Sequence, residues 1–309
     1  MTVKSRTIEL VAPSGYPQDP ANIERALKRL REQGHRVENV EAAQRKFQRF
    51  GGTDYECASD LNRLADPSRA LPDIVLAVRG GYGASRLLHG LDYQGLQRRL
   101  AGQPIAIVGH SDFTAIQCAL FAQAGIKSFG GPMFNGDFGA EELSDFTMHH
   151  FWQAISQSTL TVTSNTPQRR AVDASGMLWG GNLAMLASLV GTPYLPPVEG
   201  GILFLEDVNE HPFRVERMLY QLHQAGVLSR QQAIVMGDFM GAKLSDYDNG
   251  FTLDSVIDQI GNVTGVPIVT GLPFGHIEDM LTLPFGASAH LRATEQGFTL
   301  RMTDYPHLA

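Results

Sequence analysis

Residues 71–83 read LPDIVLAVRGGYG, and residues 104–115 read PIAIVGHSDFTA. Each stretch contains a short apolar run, at 74–78 and at 105–108, that stops at a turn containing glycine. Buried parallel strands have this pattern, and in open α/β sheets the functional groups lie beyond the carboxyl ends of the strands. The two stretches therefore predict adjacent parallel strands that bring a glycine turn beside the hydroxyl of Ser111.

The rest of the first half alternates between strand-like and helix-like segments. Asp19 before Pro20 is typical of a helix N-cap, and Gly34 is typical of the end of that helix. Further strands are expected near 8–12, 36–40 and 126–129, and further helices near 54–65, 83–100, 112–124 and 141–157. This alternation predicts an α/β domain with a mostly parallel sheet and helices on both faces.

The length of 309 residues favours two domains. We predict an α/β domain over residues 1–157 and a linker over 158–172, a segment rich in Thr, Ser and Gln. Residues 173–309 are expected to form a smaller α+β domain. In it, strands at 200–205 and 233–236 and helices at 212–225 and 253–260 precede a β-rich end at 266–303 that is typical of antiparallel strands.

Composition excludes several classes of protein. The net charge is −7 and no basic run is present, which argues against a nucleic-acid binder. The N-terminal stretch contains no apolar run long enough for a signal peptide or a membrane span. Only Cys57 and Cys118 are present, which fits a reducing compartment. The expectation is a cytoplasmic protein that acts on neither nucleic acid nor membrane.

Ser111 is the strongest candidate for a nucleophile. It lies at a strand-to-helix turn, where α/β hydrolases hold their catalytic serine, although the local GHSDF sequence lacks the last glycine of the G-x-S-x-G motif. Backbone N–H groups of the neighbouring glycine turn would supply the donors that an oxyanion requires. The competing interpretation is that Ser111 or Asp112 only caps the helix that follows.

A catalytic serine needs a base and an acid that orients the base. Of the ten histidines, His276 is the best candidate because it follows a strand and a glycine-containing loop, whereas His110 is too close to Ser111 in sequence. Glu206 ends an apolar strand, and Asp207 and Glu210 remain competitors that could instead stabilise the next helix through its dipole.

Two other chemistries find little support. The GGYG run has neither the G-x-G-x-x-G pattern nor a P-loop lysine, so nucleotide binding is not indicated. A metal site built from acids and histidines of the same loops lacks H-E-x-x-H or any tight ligand spacing. We expect no metal and no cofactor. The residues considered for that metal site are His110, Asp112, Glu206, Asp207 and His276.

Five short motifs occur in a fixed order along nearly the whole chain. They are RGGYG at 79–83, GHSD at 109–112, GGN at 180–182, LED at 205–207 and GH at 275–276. In this combination the chain resembles the L,D-carboxypeptidases of peptidoglycan recycling, which are serine peptidases that act on murein tetrapeptides. The resemblance implies a flavodoxin-like N-terminal domain with a parallel sheet and a smaller, swivelling α+β C-terminal domain.

The resemblance also implies roles for individual residues. Ser111 would be the nucleophile, Glu206 the acid and His276 the base, and the backbone N–H groups of Gly81 and Asp112 would form the oxyanion hole. The expected protein is a cytoplasmic homodimer without a cofactor that releases the terminal D-alanine from a murein tetrapeptide or related muropeptide.

Three questions stay open on the sequence. A sister branch of the same family cleaves peptide-nucleotide antibiotics of the microcin type for self-immunity and would share the triad. A non-catalytic muropeptide-binding protein is the alternative of another class. An exopeptidase must also recognise the terminal carboxylate, for which arginine is well suited; Arg79, Arg86 and Arg214 are candidates, and none is assigned.

Overall fold

The structure, a computed structural model, describes residues 4–309. Its strands are β1 (Thr7–Val11), β2 (Arg36–Glu38), β3 (Ile74–Ala77), β4 (Ala106–Gly109), β5 (Ser128–Gly130), β6 (Thr159–Ser164), β7 (Val172–Asn182), β8 (Ile202–Glu206), β9 (Ala233–Met236), β10 (Ile268–Val269), β11 (Leu283–Phe285), β12 (Ala287–Thr294) and β13 (Gly297–Thr303). Its α-helices are α1 (Pro20–Glu32), α2 (Asp54–Asn62), α3 (Ala84–Leu87), α4 (Tyr93–Leu100), α5 (Thr114–Ala124), α6 (Asp145–Ser156), α7 (Leu183–Ser188), α8 (Pro212–Gln224) and α9 (Leu253–Thr264). Short 3₁₀ turns occupy Val40–Ala43, Arg63–Ala65, Leu88–Gly90, Ser111–Phe113, Leu228–Arg230 and Asp246–Asp248, and a π turn occupies Phe134–Phe138.

The first sheet has the strand order β2-β1-β3-β4-β5-β11. Its first five strands are parallel, and β11 closes the edge in the antiparallel direction. All residues of β3 and β4 are buried, because helices cover both faces of a parallel sheet. The flavodoxin-like α/β fold is confirmed, and β3 and β4 are neighbours as their sequences predict.

The second sheet is mixed, with the order β10-β9-β8-β7-β12-β13-β6. Strands β7 to β10 are parallel and are linked through α7, α8 and α9, whereas β12, β13 and β6 are antiparallel. The antiparallel end is as predicted, but four parallel strands make this half closer to α/β than the α+β expectation. One of them, β7, is not among the predicted strands, because its glycines weaken the local strand signal.

The segment 158–172, predicted to be a linker, differs from that expectation. Residues 159–164 form β6, which pairs with β13 at the edge of the second sheet. Leu160 and Val162 are buried while Thr161 and Thr163 face outward. The sequence TLTVTS is therefore a half-buried edge strand, a setting that suits β-branched threonine. The boundaries at 157 and 173 stay a prediction. Strand β11, from the C-terminal half, completes the first sheet.

This architecture brings two sets of strand ends together. The turns after β3 and β4 carry the glycine turn and Ser111, and the end of β8 carries Glu206. At the junction the Asn182 backbone N–H, at the end of β7, donates a hydrogen bond to the Thr114 Oγ1 at the start of α5 over 3.1 Å. In residues 4–309 no helix is long and apolar enough to cross a membrane.

Candidate active site

Ser111 lies on a sharp turn directly after β4. Its backbone has φ of 60°, in the left-handed region that residues other than glycine rarely adopt, while His110 before it is extended. The glycine turn packs against it so closely that a Cβ on Gly80 would lie 2.9 Å from both Cβ and Oγ of Ser111. A strained turn that exposes a hydroxyl is the usual setting of a nucleophilic serine. Only glycine at position 80 allows the neighbouring loop to approach it.

Ser111, His276 and Glu206 form one continuous hydrogen-bonded chain. The His276 Nε2 lies 3.0 Å from the Ser111 Oγ, and the His276 Nδ1 lies 2.9 Å from the Glu206 Oε2. Glu206 is fully buried, whereas the His276 side chain keeps 26% of its surface exposed towards the cleft. Since a carboxylate can only accept, it fixes the proton on Nδ1 and leaves Nε2 free to accept the serine proton.

The loop before His276 is shaped to reach Glu206. Gly275 has φ of 145°, and a Cβ at this position would lie 3.1 Å from the Cβ of Asp238 and 3.4 Å from the Cβ of Glu206. The Asp238 backbone N–H donates to the Phe274 carbonyl over 2.8 Å, which holds this loop against the end of β9. A side chain at position 275 would push His276 away from its carboxylate.

The charges around His276 favour its protonated form. Burial lowers the pKa of His276, but the hydrogen bond and charge of Glu206, with the charges of Asp207 and Asp137, outweigh burial. The net result is a pKa above the usual value of 6.5. A more basic imidazole is better able to take a proton from serine.

Asn182 connects Glu206 and Asp207 through hydrogen bonds. The Asn182 Nδ2 donates to Glu206 Oε1 over 3.1 Å and to Asp207 Oδ1 over 3.2 Å. Asp207 also accepts from the backbone N–H groups of Ala184 and Val208, each over 2.9 Å, so it serves the N-terminus of α7. Burial and the nearby Glu206 charge raise the pKa of Asp207 to about 6, against the lowering effect of its hydrogen bonds.

Of the three acids that the sequence leaves in competition, Glu206 is the one that contacts His276. Asp207 instead accepts a hydrogen bond from the Ala184 N–H at the start of α7. The Glu210 carboxylate lies 3.8 Å from the guanidinium of Arg214 on α8. His110, which the sequence disfavours as a base, is buried with its Nδ1 2.9 Å from the Gly131 carbonyl. A role for Asn182 was not predicted, although the GGN motif at 180–182 marks its position.

The predicted oxyanion donors lie on the two turns that meet at Ser111. Apart from bonds inside helices and strands, neither the Gly81 N–H nor the Asp112 N–H donates a hydrogen bond to a backbone carbonyl of residues 4–309. The buried Asp112 carboxylate accepts from the Ser14 hydroxyl over 2.6 Å and from the Ala84 N–H over 2.9 Å. Burial raises its pKa despite these bonds. The Asp112 side chain thus connects the turn at Ser111 to the end of the glycine turn at Ala84.

A cleft of about 590 Å³ opens over the Ser111 hydroxyl. Residues from both halves of the chain line it, including Arg79, Asn135 and Asp137 from the first and His276 and Glu278 from the second. Among the described residues, no three His, Cys, Asp or Glu side chains are grouped so that they could hold a metal ion. The cleft is large enough for a few residues of a peptide.

Comparison with known proteins shows to which family the chain belongs. The family models described as the LD-carboxypeptidase N-terminal and C-terminal domains match residues 8–131 and 175–291. The solved structure of a muramoyltetrapeptide carboxypeptidase from Oxalobacter formigenes superposes with a TM-score of 0.89 at 42% identity, covering 97% of this chain and 99% of the other.

Two curated relatives represent two activities. The murein tetrapeptide carboxypeptidase of Pseudomonas aeruginosa is 30% identical, over 92% of this chain and 92% of its own. The microcin C7 self-immunity protein MccF of Escherichia coli is 26% identical, over 76% of this chain and 75% of its own. The resemblance inferred from the five motifs is confirmed, and the chain belongs to the LD-carboxypeptidase family, peptidase family S66.

Proposed function

We propose that this peptidase is a serine-type L,D-carboxypeptidase that releases the terminal D-alanine from murein tetrapeptides. The observation that carries the proposal is the hydrogen-bonded chain from Ser111 through His276 to Glu206. The names of the Oxalobacter and Pseudomonas relatives, which refer to muramoyltetrapeptide and murein tetrapeptide, support the choice of substrate.

In the proposed mechanism His276 moves the protons. Its Nε2 takes the proton of the Ser111 hydroxyl as Oγ attacks the carbonyl carbon of the scissile bond, and the N–H groups of Gly81 and Asp112 donate to the oxyanion. Glu206 stabilises the imidazolium. His276 then gives the proton to the leaving D-alanine amine. A water molecule then attacks the acyl carbon while His276 takes one of its protons. As the ester bond to Ser111 breaks, His276 returns that proton to Oγ, which restores the hydroxyl and releases the shortened peptide.

The composition of the cleft favours a murein peptide over a peptidyl-nucleotide. Of the described residues that line it, none is Phe, Tyr or Trp, the side chains on which a nucleobase commonly stacks. Three carboxylates, of Asp137, Glu142 and Glu278, share the cleft with the guanidinium of Arg79. Such a mixture of charges complements a peptide that carries both an ammonium group and a terminal carboxylate, as a tetrapeptide containing diaminopimelate does.

The deciding assay is mass spectrometry of the products from three substrates. Purified protein is incubated with L-Ala-γ-D-Glu-meso-diaminopimelate-D-Ala, with its pentapeptide analogue and with a peptidyl-nucleotide. We expect loss of one alanine from the tetrapeptide only. Cleavage of the peptidyl-nucleotide alone would replace this proposal with the self-immunity activity, and binding of the tetrapeptide without any turnover would favour a muropeptide-binding protein.

The pH dependence should report the His276 imidazole. Since this group must be neutral to accept a proton and its pKa is raised, kcat/KM should rise with pH through an apparent pKa above 6.5. The negative charge of Asp207 contributes to that elevation, so Asp207→Asn should move the rising limb to lower pH. Profiles of kcat/KM between pH 5 and 9 test this; an unshifted limb in Asp207→Asn would show that another group controls it.

The cellular setting is proposed on the same basis. A cytoplasmic homodimer suits an enzyme of peptidoglycan recycling, and the two cysteines, Cys57 and Cys118, are both buried and free. Light scattering at working concentration tests the dimer, and a monomer would contradict it.

The triad draws Ser111 from the first half and the other two residues from the second, so a fragment ending near residue 157 is expected to be inactive.

A further inference from the structure

The release of a single terminal residue needs a group that recognises the terminal carboxylate. This inference rests on the proposed carboxypeptidase activity and concerns the part of the site that binds the leaving D-alanine. A carboxylate is bound best by a guanidinium, which can offer two parallel N–H donors. Three arginines near the motif loops are available in the sequence, and the structure separates them.

Two of the three arginines are engaged elsewhere. Arg86 donates to the Asp54 carboxylate over 2.8 and 3.2 Å and lies over the ring of Phe50 at 4.5 Å. Arg214 is 58% exposed on α8, 3.8 Å from the Glu210 carboxylate. Neither arginine lines the cleft over Ser111.

Arg79 lines the cleft and begins the glycine turn, the RGGYG segment at 79–83. Of the described residues that line the cleft, it is the one Lys or Arg side chain. It lies two residues after the end of β3 and two residues before Gly81, the proposed oxyanion donor. One guanidinium nitrogen, Nη1, donates to the Tyr16 carbonyl over 3.0 Å, which fixes the group in place and leaves its other N–H groups for a ligand.

Asn135 adds a second polar group beside Arg79. Its backbone N–H donates to the Val78 carbonyl over 2.9 Å, so it lies next to the residue that precedes Arg79. Asn135 lines the cleft and is 9% exposed, and its buried Oδ1 has no hydrogen-bond partner within residues 4–309. Because an amide can turn over, either its oxygen or its NH₂ group can face a ligand.

The charges of the cleft restrict where a substrate carboxylate can lie. The carboxylates of Asp137, Glu142 and Glu278 repel it, and the guanidinium of Arg79 attracts it. Arg79 is also the cation nearest in sequence to the turns that hold the scissile carbonyl, and the carboxylate of a leaving alanine is only a few bonds from that carbonyl.

We propose that Arg79 and Asn135 together bind the C-terminal carboxylate of the substrate and thereby make the enzyme an exopeptidase. Arg79 supplies the charge and Asn135 an amide N–H. Amidated peptides would leave the guanidinium in the cleft without its anionic partner, and extended peptides would place a neutral peptide group there.

The test compares the tetrapeptide acid with its C-terminal amide. Wild-type protein should prefer the acid by roughly 10²-fold or more in kcat/KM, because a site built for a charged hydrogen-bond partner rejects the analogue that lacks it. Arg79→Gln should lose about that factor on the acid and change little on the amide, so the preference should approach one. Arg79→Lys, which keeps the charge without the planar fork, should be intermediate.

Asn135→Asp provides a nearly isosteric second test. The added carboxylate should repel the acid substrate and spare the amide, whereas Arg86→Gln, a matched change outside the cleft, should leave both rates unchanged. The amide rate serves in each variant as an internal measure of intact triad geometry.

Different failures have different meanings. Equal cleavage of acid and amide by the wild type, or an unaltered preference in Arg79→Gln, would overturn the inference while the carboxypeptidase activity stands. If the tetrapeptide is not cleaved and another peptide is, the proposed function fails. Comparing the C-terminal acid and the C-terminal amide of that other peptide then decides whether Arg79 binds the terminal carboxylate. Cleavage of no peptide at all overturns both.

Discussion

Ser111→Ala should lower kcat on the tetrapeptide by about 10⁴-fold or more, as removal of the nucleophile does in other serine triads. The hydroxyl lies 3.0 Å from the His276 Nε2, and its loss removes the atom that attacks the carbonyl. The substitution keeps Cβ, so the close contact with Gly80 and the fold of the turn are preserved. Substrate binding should therefore survive, and calorimetry with the inactive variant should give a measurable Kd.

A second variant tests whether Ser111 and His276 act together or contribute independently to kcat. His276→Ala should cost about as much as Ser111→Ala, and the double variant should be little worse than either, because the two groups act as one unit. Initial rates of D-alanine release by all three variants measure this, with circular dichroism to confirm folding. Losses that add in the double variant would place His276 outside the triad, and full activity of Ser111→Ala would exclude serine catalysis.

The parts of the site that follow from local sequence were predictable. β3 and β4 are short buried runs that end at turns, so the positions of Ser111 and the glycine turn follow from the rule that parallel strands share their carboxyl edge. Glu206 is the last residue of the buried strand β8 for the same reason. The prediction needed no knowledge of contacts between distant segments.

The choice between Glu206 and Asp207 depends on contacts that the local sequence does not contain. Neighbouring residues at a strand end point in different directions, and either carboxylate could have faced the histidine. The structure shows that Gly275 brings His276 to Glu206, while the N-terminus of α7 engages Asp207. Both determinants are distant in sequence from Glu206, so reasoning from the residues alone preferred Glu206 but left Asp207, like Glu210, as a competitor.

Two strands were missed for physical reasons of their own. β6 has a solvent-facing row of threonines that gives it the composition of a linker, and its strand character comes from pairing with β13, more than 130 residues later. β7 contains Gly180 and Gly181, with φ of 140° and 130°. A Cβ at Gly181 would lie 2.6 Å from the Thr114 Oγ1, so this glycine allows the close approach between the half that carries Ser111 and the half that carries Glu206 and His276.

The structure gives Glu206→Gln a specific mechanism of failure. In the wild type, Asn182 Nδ2 donates to Glu206 Oε1, and His276 Nδ1 donates to Oε2. A glutamine would turn its carbonyl to the Asn182 donor, which leaves its NH₂ group facing Nδ1. The His276 ring would then carry its proton on Nε2 and could not accept the proton of Ser111. A wrong tautomer of this kind costs roughly 10⁴-fold in kcat in the chymotrypsin-type triad.

The direction of the side-chain amide in Glu206→Gln can be tested by removing the Asn182 donor. Asn182→Ser keeps a side-chain oxygen that can cap the Met185 N–H at the start of α7, as asparagine does over 3.1 Å, but it lacks Nδ2. In the Glu206→Gln background it should let the glutamine carbonyl turn to His276 and recover part of the lost kcat, although alone it should slow the enzyme.

Asp207→Asn should keep most of the activity, since Asp207 does not contact the imidazole. If Asp207→Asn abolishes D-alanine release while Glu206→Gln does not, Asp207 is the acid; if Asn182→Ser rescues nothing, the amide direction is not the cause of the loss.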